Sequence, residues 1–189
     1  MDVKDAIENR RAYRSLEPVQ IPDELVSELA RCAILAPSCF NNQPVRFVFV
    51  TEPEMLKKVK ETLSKGNAWA KAASMIIVVF GKQDSDCILG DRIYYLFDIG
   101  QATAFLQLRA TELGLVAHPI AGYDPDKVKK VLKIPDEMMV ITLVIVGKKS
   151  ATISPVLSEK QIASEKARPE RLAIDEFAFR NEYSQKNRN

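Results

Sequence analysis

Residues 2–13 place Val3, Ala6, Ile7, Arg10 and Tyr13 at three- and four-residue steps behind Asp2, which predicts an amphipathic helix capped by the Asp2 carboxylate. Pro18 and Pro22 interrupt that period. A second helix is predicted from Asp23, with Leu25, Val26, Leu29, Ala33 and Ile34 on its apolar side, until Pro37 stops it. The period then changes to two. Residues 45–51 (VRFVFVT) alternate as a half-buried strand, and after a helix over 54–64 and a Gly66-Asn67 turn the unbroken run 75–80 (MIIVVF) fits a strand buried on both faces. Residues 91–113 are apolar nearly all round, as a central helix packed on more than one side would be, with Asp91 at its start and Gly114 at its C-cap. Residues 115–124 (LVAHPIAGYD) read as an irregular turn, 124–133 (DPDKVKKVLK) as a short surface helix, and 139–146 (MVITLVIV) as a third strand.

The 42 residues after Gly147 differ in kind. They show no strand and one helical piece around 172–179, yet carry Ile153, Val156, Leu157, Ile162, Leu172, Ile174, Phe177 and Phe179. That is too much apolar surface for a free tail, so the segment is expected to wrap a neighbour, naturally a second copy of the chain. The organisation expected is one domain over 1–189, a core of 1–147 and an extension of 148–189.

Composition narrows the classes. Twenty-seven Lys and Arg against 25 Asp and Glu give a formal charge of +2, which disfavours a nucleic-acid-coating protein. No apolar run reaches the roughly 18 residues of a membrane span, and the first residues are charged where a signal peptide is apolar, so a cytoplasmic protein is expected. Three cysteines (Cys32, Cys39, Cys87) and His118 are too few and too scattered for a disulfide framework or a zinc spacing, and no metal is expected. The seven glycines never cluster, so neither a GxGxxG fingerprint nor a P-loop can be written. A bound phosphate would have to be held by side-chain cations.

Arg10, Arg11 and Arg14 supply such cations at the end of the first helix, 10 and 14 on one face. They serve either to complement the negative end of the helix dipole or as a guanidinium clamp for phosphate oxygens. The loop 37–44 gathers Ser38, Asn41, Asn42 and Gln43 beside Phe40, which is ordinary turn chemistry or a hydrogen-bonding site between helix and strand. Cys39 with His118 lacks an acid partner for a hydrolytic triad. Asp91 and Asp98, seven apart, read better as a helix cap and a locally bonded carboxylate than as an acid/base pair.

The order of these pieces resembles the FMN-dependent nitroreductase family. Arg10-Arg11-Ala12-Tyr13-Arg14-Ser15 is similar to its N-terminal RRSxR. Residues 36–44 (APSCFNNQP) are similar to APSxxNxQPW, and Gly66-Asn67-Ala68-Trp69, the turn from His118 to Asp124, and Arg171 onward follow in order. The resemblance implies an α+β fold with a mostly antiparallel central sheet flanked by helices, and a domain-swapped C-terminal tail that adds an edge strand to the partner's sheet. It implies a homodimer with FMN at the interface: Arg10, Arg11, Ala12 and Arg14 on the phosphate and ribityl chain, completed by Arg168, Arg171 or Lys166. Pro37, Ser38, Cys39, Asn41 and Gln43 would come from the other subunit, Asn67 would meet the ring edge, and Pro119, Ile120, Ala121 and Gly122 would pass the ring face. NAD(P)H would be the reductant and a nitroaromatic, quinone or similar small molecule the oxidant in a two-step cycle, with no protein residue obliged to act as acid or base. Alternatives are a specialised flavoenzyme of the same fold, such as a reductive dehalogenase or flavin-fragmenting enzyme, and a cofactor-free structural dimer. Relative to the family pattern, Ala12 removes a hydroxyl and Val45 stands where Trp is frequent.

Overall fold

Met75–Gly81 forms the centre of the sheet, and every residue in it is buried in the computed structural model, which describes residues 1–183. In chain order the helices are α1 (Val3–Asn9), α2 (Asp23–Ile34), α3 (Pro53–Lys60), α4 (Tyr94–Glu112), α5 (Pro125–Leu132), α6 (Glu159–Lys166) and α7 (Ile174–Phe177). The strands are β1 (Leu16–Glu17), β2 (Val45–Val50), β3 (Met75–Gly81), β4 (Ile88–Leu89), β5 (Arg92–Ile93), β6 (Leu115–Ile120) and β7 (Met139–Lys149). β2 pairs with β3, β3 with β7, and β7 with both β6 and β1, every pairing antiparallel. This is the α+β architecture expected, a mostly antiparallel sheet flanked by helices.

The two-residue period of β3 splits the core in two. Ile76, Val78 and Phe80 join Trp69, Val59, Val128 and Leu143 on one face, while Met75, Ile77 and Val79 join Leu29, Ile99 and Leu106 on the other. The second face is covered by α2 and α4. α4 buries Tyr95, Asp98, Ile99, Ala102, Leu106 and Ala110 but leaves Leu96, Phe97, Phe105 and Leu113 exposed on its other side.

Four expectations are corrected. The first helix ends at Asn9, because Arg10 takes an extended ψ of 118°, so Arg10, Arg11 and Arg14 lie on extended chain and share no helix face. α4 starts at Tyr94 with no side-chain cap, since the chain before it forms the β4–β5 hairpin; Asp91 therefore caps nothing. The segment read as an irregular turn is strand β6, held by β7 in register Val116↔Gly147 through Ile120↔Leu143. The C-terminal extension also begins on its own chain: Leu157 and Ile162 pack into the Trp69 side of the core, and α6 carries a Ser158–Gln161 capping box that the apolar pattern did not reveal. From Arg168 to Tyr183 the chain is exposed, including Leu172, Ile174, Phe177 and Phe179.

Candidate functional site

Two cavities collect nine of the expected site residues, while Cys39, Asn41, Asn67 and Pro119 to Gly122 line neither. The first, of about 110 Å³, is lined by Arg10, Arg11, Ala12, Arg14, Ser164, Arg168, Pro169 and Arg171, which brings together both ends of the chain. Glu165 builds it. Its carboxylate, buried one turn beyond Ile162, accepts the backbone N–H of Arg14 at 2.7 Å and of Ser15 at 3.2 Å, so the extended arginine segment is pinned to α6. Arg11 donates to the carbonyls of Ser164 and Glu165, and Arg168 donates to the carbonyls of Glu8 and Arg10. Arg168 thus does at the end of α1 what the dipole argument had assigned to Arg10, Arg11 and Arg14. Lys166 does not line this cavity.

The carboxylate of Glu165 is turned to backbone N–H groups, and the guanidinium groups outnumber it. None of the ion pairs among the described residues uses Arg10, Arg11, Arg14, Arg168 or Arg171. Burial first, then the charges of Arg168 and Arg171, push the Arg10 guanidinium below its ordinary pKa. Guanidinium groups crowded this way, with carboxylate oxygens turned to backbone N–H groups, form a setting for a multiply charged oxyanion.

Behind the arginines stands an aromatic wall. Arg14 lies over the Trp69 ring at 5.9 Å, Trp69 stacks on His118 with centroids 4.7 Å apart, and His118 Nδ1 meets the Tyr13 carbonyl at 3.0 Å. Burial, aided by Arg14 and Arg10, lowers the His118 pKa to about 4, so this ring is neutral at pH 7 and structural. Pro119 and Ile120, the last residues of β6, follow it directly and lead into the turn at Ala121 and Gly122. Asn67 Nδ2 donates to the Gly122 carbonyl at 2.8 Å, and a Cβ on Gly122 would fall 2.5 Å from both Asn67 Nδ2 and Ser64 Oγ. Gly122 is therefore required by close approach, and the Asn67 amide group is spent on holding the turn. Ile120 points its side chain into the core and Ala121 is exposed, so contact with a ligand there falls to backbone groups and Ala121.

The second cavity, of about 300 Å³, lies on the α2–α4 side of the sheet and includes Ala33, Pro37, Ser38, Gln43, Phe47, Asp98 and Ala102 in its lining. Its loop is tightly specified. Phe40, Asn41 and Gln43 all adopt positive φ; Ser38 Oγ accepts the Gln43 N–H, and Asp98 Oδ2 accepts the Cys39 N–H at 2.7 Å. The Asn41 carbonyl accepts from the Gln43 side chain, leaving the Asn41 side chain exposed. Cys39 is not a free thiol: it forms a disulfide with Cys87 of the β4–β5 excursion, a pair that spacing did not reveal. Among the described residues one group has metal-ligand chemistry within 4.8 Å, Cys39, Asp86 and Cys87, but with the sulfurs joined it offers no thiolate.

The structure therefore unites the arginines with Arg168 and Arg171, and Asn67 with Gly122, while placing the 37–43 loop in a separate cavity. Nothing in the sequence marks Glu165, Trp69 or Asp86 as shaping the site. A lone glutamate in a charged helix carries no local signal of burial.

A mostly antiparallel sheet between helices defines an α+β fold, and an arginine-lined cavity sits where the two ends of the chain meet. The nitroreductase family model matches residues 7–148, and the chain belongs to that family. It is 31% identical over 147 residues to an Archaeoglobus fulgidus protein provisionally named NADH dehydrogenase/NAD(P)H nitroreductase, covering 75% of this chain and 82% of that one. A solved oxidoreductase containing FMN superposes with a TM-score of 0.83 at 27% identity, over 98% of this chain and 95% of that one. A provisionally named nitroreductase from Exiguobacterium sibiricum, solved with FMN, is similar in fold with a TM-score of 0.78 at 21% identity, over 95% and 97% of the two chains. No described helix is long and apolar enough to cross a membrane.

Proposed function

We propose that this oxidoreductase binds FMN and works as a cytoplasmic homodimer that carries electrons from NAD(P)H to a nitroaromatic, quinone or similar small acceptor. The observation that carries the reading is the arginine cavity, which crowds cations where the described residues place no ion-paired carboxylate. A monoester phosphate fits that donor set, since it presents two negative charges and forked oxygens. Arg10, Arg11, Arg14, Arg168 and Arg171 would hold the phosphate, and Asn67 would act by fixing the 119–122 turn that faces the ring. When bound, FMN supplies the two-electron chemistry. The protein's residues bind and orient it; none is assigned as catalytic acid or base.

The dimer reading rests on the separation of the two cavities. The arginine cavity is built against the Trp69 side of the core, and the 37–43 loop stands on the α2–α4 side. One chain does not bring them to one ligand. Pairing two copies through the exposed Leu96, Phe97, Phe105 and Leu113 of α4 would cover that apolar face and offer Pro37, Ser38 and Gln43 of one copy to the arginines of the other. The exposed Leu172, Ile174, Phe177 and Phe179 would then wrap the second copy.

The test is spectroscopic. Purified protein is expected to carry a yellow flavin that bleaches anaerobically with NADH or NADPH and recovers with a quinone. Replacing Arg10 and Arg14 together by Ala is expected to weaken FMN binding by about 10²- to 10⁴-fold, from roughly 1.5–3 kcal/mol per charge-assisted contact. Protein that binds no flavin even when titrated with FMN overturns the reading.

A further inference from the structure

The Cys39–Cys87 disulfide stands beside a buried carboxylate pair and a conformationally constrained loop. Asp86 and Asp98 are both almost completely buried, 7% and 3% exposed, and close enough for Asp86 to add to burial in raising the Asp98 pKa. Asp98 is occupied by the Cys39 N–H and by Gln101 Nε2, whereas Asp86 accepts only from Asn42 Nδ2 at 3.3 Å and its Oδ2 is buried without a partner. A buried carboxylate oxygen with no partner is costly, so this end of the loop is packed around an unsatisfied polar atom. Burial and the neighbouring Asp86 both favour protonated Asp98. The second feature is the loop itself. Phe40 at φ 47°, Asn41 at φ 60° and Gln43 at φ 50° hold left-handed conformations that side chains other than glycine adopt at a cost. Such a loop keeps its shape only when its ends are over-determined, and the anchors here are the Cys39–Cys87 bond, the Cys39 N–H to Asp98, and Ser38 Oγ.

We propose that Cys39–Cys87 is a reversible thiol–disulfide site whose oxidised form locks the 38–43 loop over the α2–α4 cavity and whose reduced form releases it. Both cysteines are partly exposed, so a small dithiol reaches the bond. The thiolate of the dithiol attacks one sulfur and the Cys39–Cys87 bond breaks. The second thiol of the reagent then closes its own disulfide. Two electrons and two protons pass from the dithiol to the cystine in total. Reduction removes the only covalent link between the loop and the 83–93 excursion among the described residues, leaving the loop with polar anchors alone, among them Asn42 Nδ2 to Asp86. Only the biological use rests on the cytoplasmic reading above, since cytosolic disulfides are typically transient or redox-sensing.

The experiment is differential alkylation followed by mass spectrometry, with hydrogen exchange on the same samples. As isolated under air, the denatured protein is expected to take one alkyl group, on Cys32; after dithiothreitol it takes three, and after oxidised glutathione it returns to one. Amides of residues 38–43 are expected to exchange at least about tenfold faster in the reduced form, while β3 amides are unchanged. Cys87→Ser should reproduce the reduced loop under air, and Cys32→Ser should not; if Cys87→Ser folds poorly, the reduced parent protein carries the test. Three alkylated cysteines in every buffer, or equal loop exchange in both redox forms, overturns the proposal. Neither readout uses flavin, so failure here is separate from failure of the FMN reading.

Discussion

Glu165→Ala tests how the anion cavity is assembled. The substitution removes the acceptor for two backbone N–H groups, Arg14 at 2.7 Å and Ser15 at 3.2 Å. Ser15 is only 2% exposed, so its N–H has no route to water and bears the full penalty of about 1–3 kcal/mol for a buried unpaired donor. Arg14 is half-buried and its N–H can recruit water, so its share is about 1 kcal/mol. The total expected loss is about 2–4 kcal/mol. For a chain of this size that lowers Tm by about 5–15 °C, since each kcal/mol shifts the midpoint by roughly 2–4 °C. Glu165→Gln keeps one acceptor oxygen and should lose about half as much. Urea unfolding followed by circular dichroism gives the free energies, and fluorescence titration with FMN gives the consequence, because α6 carries Ser164 and leads into Arg168 and Arg171. FMN affinity should fall in the Ala variant although Glu165 carries no charge attractive to phosphate. An Ala variant within 0.5 kcal/mol of the parent, or one that binds FMN more tightly because a negative charge has gone, refutes the strut and leaves Glu165 a mere neighbour of the arginines.

Three further outcomes are expected. His118, with its pKa lowered to about 4 when folded against 6.5 unfolded, makes the unfolded state bind the extra proton; stability should be level above about pH 6.5 and decline as pH falls toward 4, by roughly 3 kcal/mol in all, and His118→Gln should flatten that decline in a pH series of urea melts. Gly122→Ala would set a Cβ against Asn67 and Ser64 at 2.5 Å, so it should break the Asn67–Gly122 bond, cost about 1–3 kcal/mol and weaken FMN binding; unchanged Tm and affinity would show that the turn yields freely. Ile77→Ala, at a side chain fully buried between sheet and α4, should cost about 2–5 kcal/mol by chemical denaturation, and a loss below 1 would mean that this face of the core collapses to refill the space.

The legible parts of this protein are those in which a residue's neighbours in sequence are also its neighbours in space. MIIVVF reads as a doubly buried strand because every position is apolar, and β3 is that strand. The α2 stripe and Pro37 locate one helix, and Asp124 with the DKVKK charges locates α5, whose N-terminal N–H at Lys127 the Asp124 side chain does accept. The period misleads where long-range pairing outweighs it. Residues 115–120 contain His118 and Pro119 and look irregular, but β7 supplies a full antiparallel partner, and an edge strand tolerates proline. Arg10 and Arg14 keep helical spacing, yet the chain leaves the helix at Arg10, and the Arg14 and Ser15 N–H groups go to Glu165 instead of to a helical carbonyl.

The candidate site divides along the same line. Residue types nominated Arg10, Arg11 and Arg14, since unclustered glycines leave phosphate binding to cations, and the resemblance of the motif order to one family added Asn67, Gly122, Arg168 and Arg171. Their arrangement depended on contacts about 150 residues apart, as in the Arg14–Glu165 bond with its separation of 151. The Cys39–Cys87 bond and the buried Asp86 were equally silent, because a cysteine or a carboxylate looks the same in sequence whether it faces water or a sulfur 48 residues away. By itself the sequence determined the alternation of helices and strands, the absence of a glycine phosphate loop and the stock of cations, all properties of composition and short period. Only the tertiary structure decided which cations converge, which carboxylate is spent on backbone N–H groups, and which cysteines meet. Those outcomes depend on where a closed sheet register and two packed faces bring distant segments, which no local pattern encodes.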